Sequence, residues 1–133
     1  MLQSGILNPQ VLHLLARIRH TNTLVIADWA FPFWPQVETI DLALTAGIPT
    51  IPDLLKLLQP NFKVGRIWQA EEFVTHNPAD TVARFDAHFS ALQGSPEVHR
   101  LPHPTFKTLV PAAIGLIRTG DNTPYGNVIL ESV

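Results

Sequence analysis

Cysteine is absent from the 133 residues, which removes disulfides, thiolate nucleophiles and cysteine-type zinc sites. Charge is scarce: Asp, Glu, Lys and Arg make up 15% of the chain, and the formal net charge is -2. With no basic stripe, binding of nucleic acid through its phosphates is not expected. No run approaches the roughly 18–20 apolar residues of a membrane-spanning helix, so no membrane partner is expected either. Met1 to Gly5 carry no basic residue, and the apolar residues that follow are helically spaced rather than packed in a block, unlike a signal peptide. The expectation is a cytoplasmic protein. The sequence also lacks G-x-G-x-x-G, a P-loop and G-x-S-x-G, the usual signatures of dinucleotide chemistry, phosphoryl transfer and serine hydrolysis.

What is present suits one core: 46% of residues are hydrophobic, and the length is that of a single domain. No repeat, low-complexity stretch or linker divides residues 1–133. A chain so low in charge and so rich in Leu, Val, Ile and Pro favours self-association.

Asn8-Pro9 is a cap followed by a first-turn proline. Val11, Leu14, Leu15 and Ile18 continue it as one apolar stripe, predicting a helix that ends around His20. Leu24 to Ala27 reads as a strand buried on both faces, stopped by Asp28, and the proline-bearing residues 29–38 as a loop. Ile40 to Ala46 fits either a strand or a short helix. Thr50-Ile51-Pro52-Asp53 resembles a capping box and opens a Leu-rich helix that Pro60-Asn61 ends. Val64 to Ala70 is a candidate strand. Asn77-Pro78 repeats the cap-and-proline pattern, and Val82, Phe85, Phe89 and Leu92 predict a helix over 78–92. Glu97 to Leu101 reads as a strand and Thr105 to about Val110 as a short helix. Ala113 to Ile117 and Val128 to Glu131 read as strands, joined by turn formers at 118–127. Strands alternating with helices predict an α/β layered domain.

Six histidines and a few carboxylates carry the candidate chemistry. His20 lies past a helix end in a polar corner, suited to C-capping or to acid/base work. Asp28 is costly to bury unpaired, and at the end of a strand in an α/β sheet it would project into the crevice where ligands bind. It fits a turn aspartate as well. The two residues flank one strand, so they meet only if the chain curls or two subunits share a site. His99 and His103 have an H-x3-H spacing, but Pro102 and Pro104 argue against a helix and hence against a metal site. They place His103 in an extended, stiff segment. Of Glu71 and Glu72, one is expected to be structural and one exposed. Tyr125 and Asn127 offer a hydroxyl and an amide in a turn. Trp29, Phe31, Phe33 and Trp34 could stack on a sugar or line a subunit interface.

In order along nearly the whole chain, 5-GILN-8, 20-HTNTLVIAD-28, 40-IDLALTAGIP-49, 70-AEE-72, 76-HNP-78 and 117-IRTGDNTPYGNVIL-130 resemble the D-ribose pyranase / L-fucose mutarotase family. The stretches 20–24 and 41–49 resemble its ribose branch. The resemblance implies a ribose-pyranase-like fold, a mostly parallel central sheet flanked by helices. It implies ring-shaped homo-oligomers, commonly decamers, with sites between subunits. The implied activity interconverts β-pyranose and β-furanose forms of a monosaccharide such as D-ribose, with no cofactor and no metal. By matching positions, His20 would be the acid/base, and Asp28, His103, Tyr125, Gly126 and Asn127 would bind the sugar. A non-catalytic sugar-binding or transport-associated subunit is the alternative. Trp29 departs from the small residues of the ribose branch; inside the pocket it would change which sugar fits.

Overall fold

The computed structural model describes residues 1–3 and 5–133. Six strands form one sheet: β1 (Thr23–Ala27), β2 (Thr39–Asp41), β3 (Val64–Ala70), β4 (Glu97–Leu101), β5 (Gly115–Arg118) and β6 (Val128–Ser132). Their order across the sheet is β2-β5-β1-β6-β3-β4. β1 and β2 both run parallel to β5, and β3 runs parallel to β4, whereas β6 is antiparallel to β1 and β3. Five strands therefore point one way, and their C-terminal ends share one edge. Because β6 runs the other way, its start lies at that same edge.

Helices α1 (Pro9–Arg17), α2 (Ile51–Leu58), α3 (Glu72–His76) and α4 (Ala79–Ala91) contribute to the larger core. Leu14, Leu55, Phe73, Phe85 and Phe89 pack there with Leu24, Ile26, Ile67 and Leu130 of the sheet. On the opposite face, α5 (His103–Leu109) and a 3-10 turn (Val110–Ala112) cover Val25, Leu116 and Ile129, with Phe31, Val37, Phe106 and Val110. The alternation of faces along β1 explains its four buried residues: Leu24 and Ile26 enter one core, Val25 and Ala27 the other.

Local signals explain the element starts. Asn8 accepts from the Val11 amide at 2.9 Å. Thr50 and Asp53 form the full reciprocal box: the Asp53 amide donates to Thr50 Oγ1 at 3.1 Å, and the Thr50 amide to Asp53 Oδ2 at 2.8 Å. The Thr50 amide, and after it the Thr50 hydroxyl, hold the Asp53 carboxyl below its ordinary range.

Four expectations are corrected. α1 ends at Arg17, and Arg19, not His20, donates to the final carbonyls of Ala16 and Ile18. Residues 39–41 form a short strand and 42–50 a loop. Asn77 does not cap α4; its amide reaches back to the Phe73 carbonyl and across to that of Pro124, both at 2.8 Å. His103 is not extended but begins α5, since prolines are tolerated in a first turn whose amides lack helical partners.

Candidate functional site

The shared edge carries a cleft of about 360 Å³ lined by Asp28, Phe31, His103, Lys107, Tyr125 and Asn127, among others. It lies outside the carboxyl ends of the strands, where α/β sheets bind ligands. Asp28 follows β1 and Asn127 precedes β6. The two strands are paired, so the residues face each other and close a ring of two hydrogen bonds. The Asp28 amide donates to Asn127 Oδ1 at 2.7 Å, and Asn127 Nδ2 donates to Asp28 Oδ2 at 2.9 Å. Asp28 Oδ1 accepts from the Ala30 amide at 3.0 Å. Burial nevertheless raises the Asp28 carboxyl above its ordinary value, against these bonds, and the charge of Asp121 adds to the effect.

His103 stands on the opposing wall. Its ring stacks on Phe106, with centroids 6.2 Å apart and planes at 12°, and meets Tyr125 edge-on at 5.1 Å. Nδ1 is buried with no hydrogen-bond partner, leaving Nε2 as the nitrogen able to meet a ligand. Burial, aided by the Lys107 charge, lowers the His103 pKa. Both effects favour the uncharged ring, and with Nδ1 unpartnered that form fits an Nε2–H donor. Tyr125 has φ 56°, a left-handed conformation that turns the chain so that its ring packs between His103 and His76, 4.9 Å away. The buried Gly126 amide donates to the Thr123 carbonyl at 3.1 Å.

The turn behind the cleft is held from beneath. Asp121 is 2% exposed, and its carboxylate accepts from the amides of Ile51 and Thr123 at 2.8 and 2.7 Å. Gly120 leaves no room for a side chain: a Cβ there would sit 2.2 Å from the Thr45 carbonyl oxygen and 2.4 Å from that of Ile48.

Asp28, His103, Tyr125, Gly126 and Asn127 thus gather at one edge. His20 does not. It lies before β1 beside Thr21, Arg66, Glu97 and Glu131. The five strand residues between it and Asp28 alone span about 17 Å. Within one protomer the histidine and the cleft are at opposite ends of the sheet. His99 stacks on Trp68 at 6.2 Å from β4, while His103 heads a helix, so the H-x3-H pair shares no element.

The aromatic loop divides. Phe31 is buried and lines the cleft, and its carbonyl accepts from Arg118 Nη2 at 2.9 Å. Trp34 packs on the same core. Trp29 lies outside the cleft lining and is 52% exposed, so it does not fill the cleft of its own chain. Lys107 was not singled out from sequence. It lies one turn beyond His103, a spacing visible only once α5 is known to start at His103. Of the two adjacent glutamates, Glu72 is the structural one and Glu71 the exposed one, as expected; that Glu72 and His76 back the cleft is hidden by the shortness of α3.

The family model described as the RbsD / FucU transport protein family matches residues 1–133. The chain is 42% identical to the D-ribose pyranase of Laribacter hongkongensis over 132 residues, covering 99% of this chain and 97% of that protein. It is 39% identical to the D-ribose pyranase of Bacillus licheniformis with the same coverages. Among solved structures, Bacillus subtilis RbsD complexed with D-ribose superposes with a TM-score of 0.88 at 34% identity, over 99% of this chain and 97% of that one. The fucose mutarotase of Streptococcus pneumoniae in complex with L-fucose shares the fold, with a TM-score of 0.71 at 19% identity over 94% and 91% of the two chains.

Proposed function

Since the chain belongs to the RbsD / FucU family, we propose that it is an isomerase interconverting the β-pyranose and β-furanose forms of D-ribose. The observation that carries this reading is the cleft itself: a clamped carboxylate, a neutral imidazole and a tyrosine ring converge at the strand ends. Relatives at this identity are named D-ribose pyranase.

The reaction opens and recloses a hemiacetal. A base takes the proton of the anomeric hydroxyl, an acid protonates the ring oxygen, and the bond from that oxygen to the anomeric carbon breaks. The free aldehyde is then attacked by a different hydroxyl, and the proton is returned. Nothing is oxidised and no group is stored, so the chemistry needs neither cofactor nor metal. In our reading, Asp28 accepts from sugar hydroxyls and His103 Nε2–H donates to one. The Tyr125 hydroxyl and the Gly126–Asn127 backbone complete the contacts. The Asn127 side chain serves chiefly to hold Asp28.

The acid/base is His20, supplied by a second copy of the chain. The separation of His20 from the cleft is why a second copy is required, and the exposed apolar side chains of Trp29, Phe33, Leu44 and Ile48 are of the kind that subunit interfaces bury. A homo-oligomer, a decamer by family resemblance, working in the cytoplasm completes the proposal. None of the helices among the described residues is long and apolar enough to cross a membrane.

Magnetisation-transfer NMR on D-ribose tests it. Added protein should accelerate pyranose–furanose exchange, and His20→Ala should remove about 10²–10⁴-fold while sugar still binds. Sugar binding without any acceleration by the unaltered protein would instead favour a non-catalytic sugar-binding or transport-associated subunit.

A further inference from the structure

The 70-AEE-72 and 76-HNP-78 stretches have no part in the reaction as described, yet α3 between them touches both walls of the cleft. At one end, Glu72 accepts the His103 amide with both carboxylate oxygens, at 3.0 and 2.9 Å. The N-cap of α5 is Pro102, which has no side-chain acceptor to offer, so Glu72 supplies from another element what a serine or aspartate cap would supply locally. That bond fixes where α5 begins, and with it the position of the His103 ring. At the other end, Asn77 Nδ2 donates to the Phe73 carbonyl, ending α3, and to the Pro124 carbonyl beside Tyr125. Between these ends, the His76 ring packs 4.9 Å from Tyr125, and its Nδ1 lies 2.9 Å from the Glu72 carbonyl oxygen. Phe73, wholly buried against Phe85 at 4.8 Å, anchors the helix in the core. Glu71, its neighbour, is exposed.

We propose that α3 is a clamp that sets the gap between His103 and Tyr125, with Glu72 and Asn77 as its positioning residues. Neither residue lines the cleft, so each acts through another. This assignment deepens the functional reading above and rests on it for the identity of the sugar. Since the residues being placed bind the sugar equally before and during ring opening, a loosened clamp weakens binding rather than chemistry.

The test compares four variants by the D-ribose concentration dependence of exchange. Glu72→Ala should raise KM about tenfold, the effect of misplacing a group that forms a hydrogen bond, with kcat little changed. Glu72→Gln keeps an oxygen that accepts the His103 amide and should restore KM to within about threefold. Glu71→Ala removes the same charge one residue away and should leave KM unaltered. Asn77→Asp preserves size but cannot donate to the Pro124 carbonyl, so it should raise KM as Glu72→Ala does. It tests the Tyr125 side even if Glu72→Ala does not fold. Unaltered KM in Glu72→Ala and Asn77→Asp, or an equal rise in Glu71→Ala, overturns the clamp. The ¹⁵N-detected amide of His103 supplies a readout that needs no sugar. It should shift in Glu72→Ala and stay in place in Glu71→Ala; an unmoved amide overturns the clamp. No exchange by the unaltered protein, with the amide shifted as expected, would overturn the proposed reaction on D-ribose while the shifted amide still upholds the clamp.

Discussion

At the cleft, burial pushes two titratable groups toward their neutral forms. Asp28 is raised from its ordinary value of 3.8 and His103 lowered from 6.5. Their effects on stability have opposite signs. Between pH 3.8 and its raised value, native Asp28 holds more proton than the unfolded chain, so its burial costs stability at neutral pH and is relieved as pH falls. Below pH 6.5 the unfolded chain charges His103 before the native protein does, so stability is lost as pH drops from 6.5 through the lowered native value. Lys107, Glu72 and Asp28 are the charges acting on that ring; Lys107 assists burial, and the carboxylates oppose it. Urea unfolding at about pH 7 and about pH 5.5 isolates the histidine. His103→Asn should lose less stability over that interval than the unaltered protein. Equal losses would mean that His103 titrates alike in both states.

The starts of α1, α2 and α5 are set by capping groups, and how far the sequence revealed them depended on where each group came from. The Thr50–Asp53 box is local, so four consecutive residues declare it. Thr50→Ala should cost about 1 kcal/mol, the usual worth of an N-cap, and should raise the Asp53 pKa only in part, since the hydroxyl is lost while the amide of residue 50, the larger cause, still donates to the carboxylate. Chemical denaturation reads the first and carboxyl NMR titration the second; an unaltered midpoint would show the box to be without consequence. The start of α5 is equally definite, but its acceptor is Glu72, 31 residues earlier. From sequence, Pro102 and Pro104 therefore look like helix breakers, although both lie where a helix tolerates them. Asn77 misleads in the same way. Asn8-Pro9 and Asn77-Pro78 are the same dipeptide, and only the first is a cap. The second terminates α3, five residues long, too short to show a helical period. The buried run of β3 was legible, with the boundaries its sequence implies, because the core enforces it; β4 also has the expected bounds, although it is an exposed edge strand.

For the whole molecule, the sheet separates His20 from the cleft that the proposed reaction would pair it with. The cleft residues all emerge at the edge shared by the C-termini of five strands and the start of β6. His20 precedes β1 and so must emerge at the other edge. Sequence spacing could raise this difficulty but not resolve it, because eight residues allow a turn as readily as a strand. The strand excludes a joint site within one chain, so in the proposed reaction two copies would have to meet for His20 to act. Mixing two inactive variants tests that step directly. In His20→Ala every cleft retains Asp28, and in Asp28→Asn every subunit retains His20. Neither homo-oligomer holds an intact site. If subunits are mixed at random, unfolded together and refolded, about a quarter of sites receive Asp28 from one variant and His20 from the other. D-ribose exchange should then return to about a quarter of the unaltered rate, whereas simple mixing without subunit exchange should restore nothing. A co-refolded mixture as inactive as its parents would show that His20 and Asp28 do not act in one shared site.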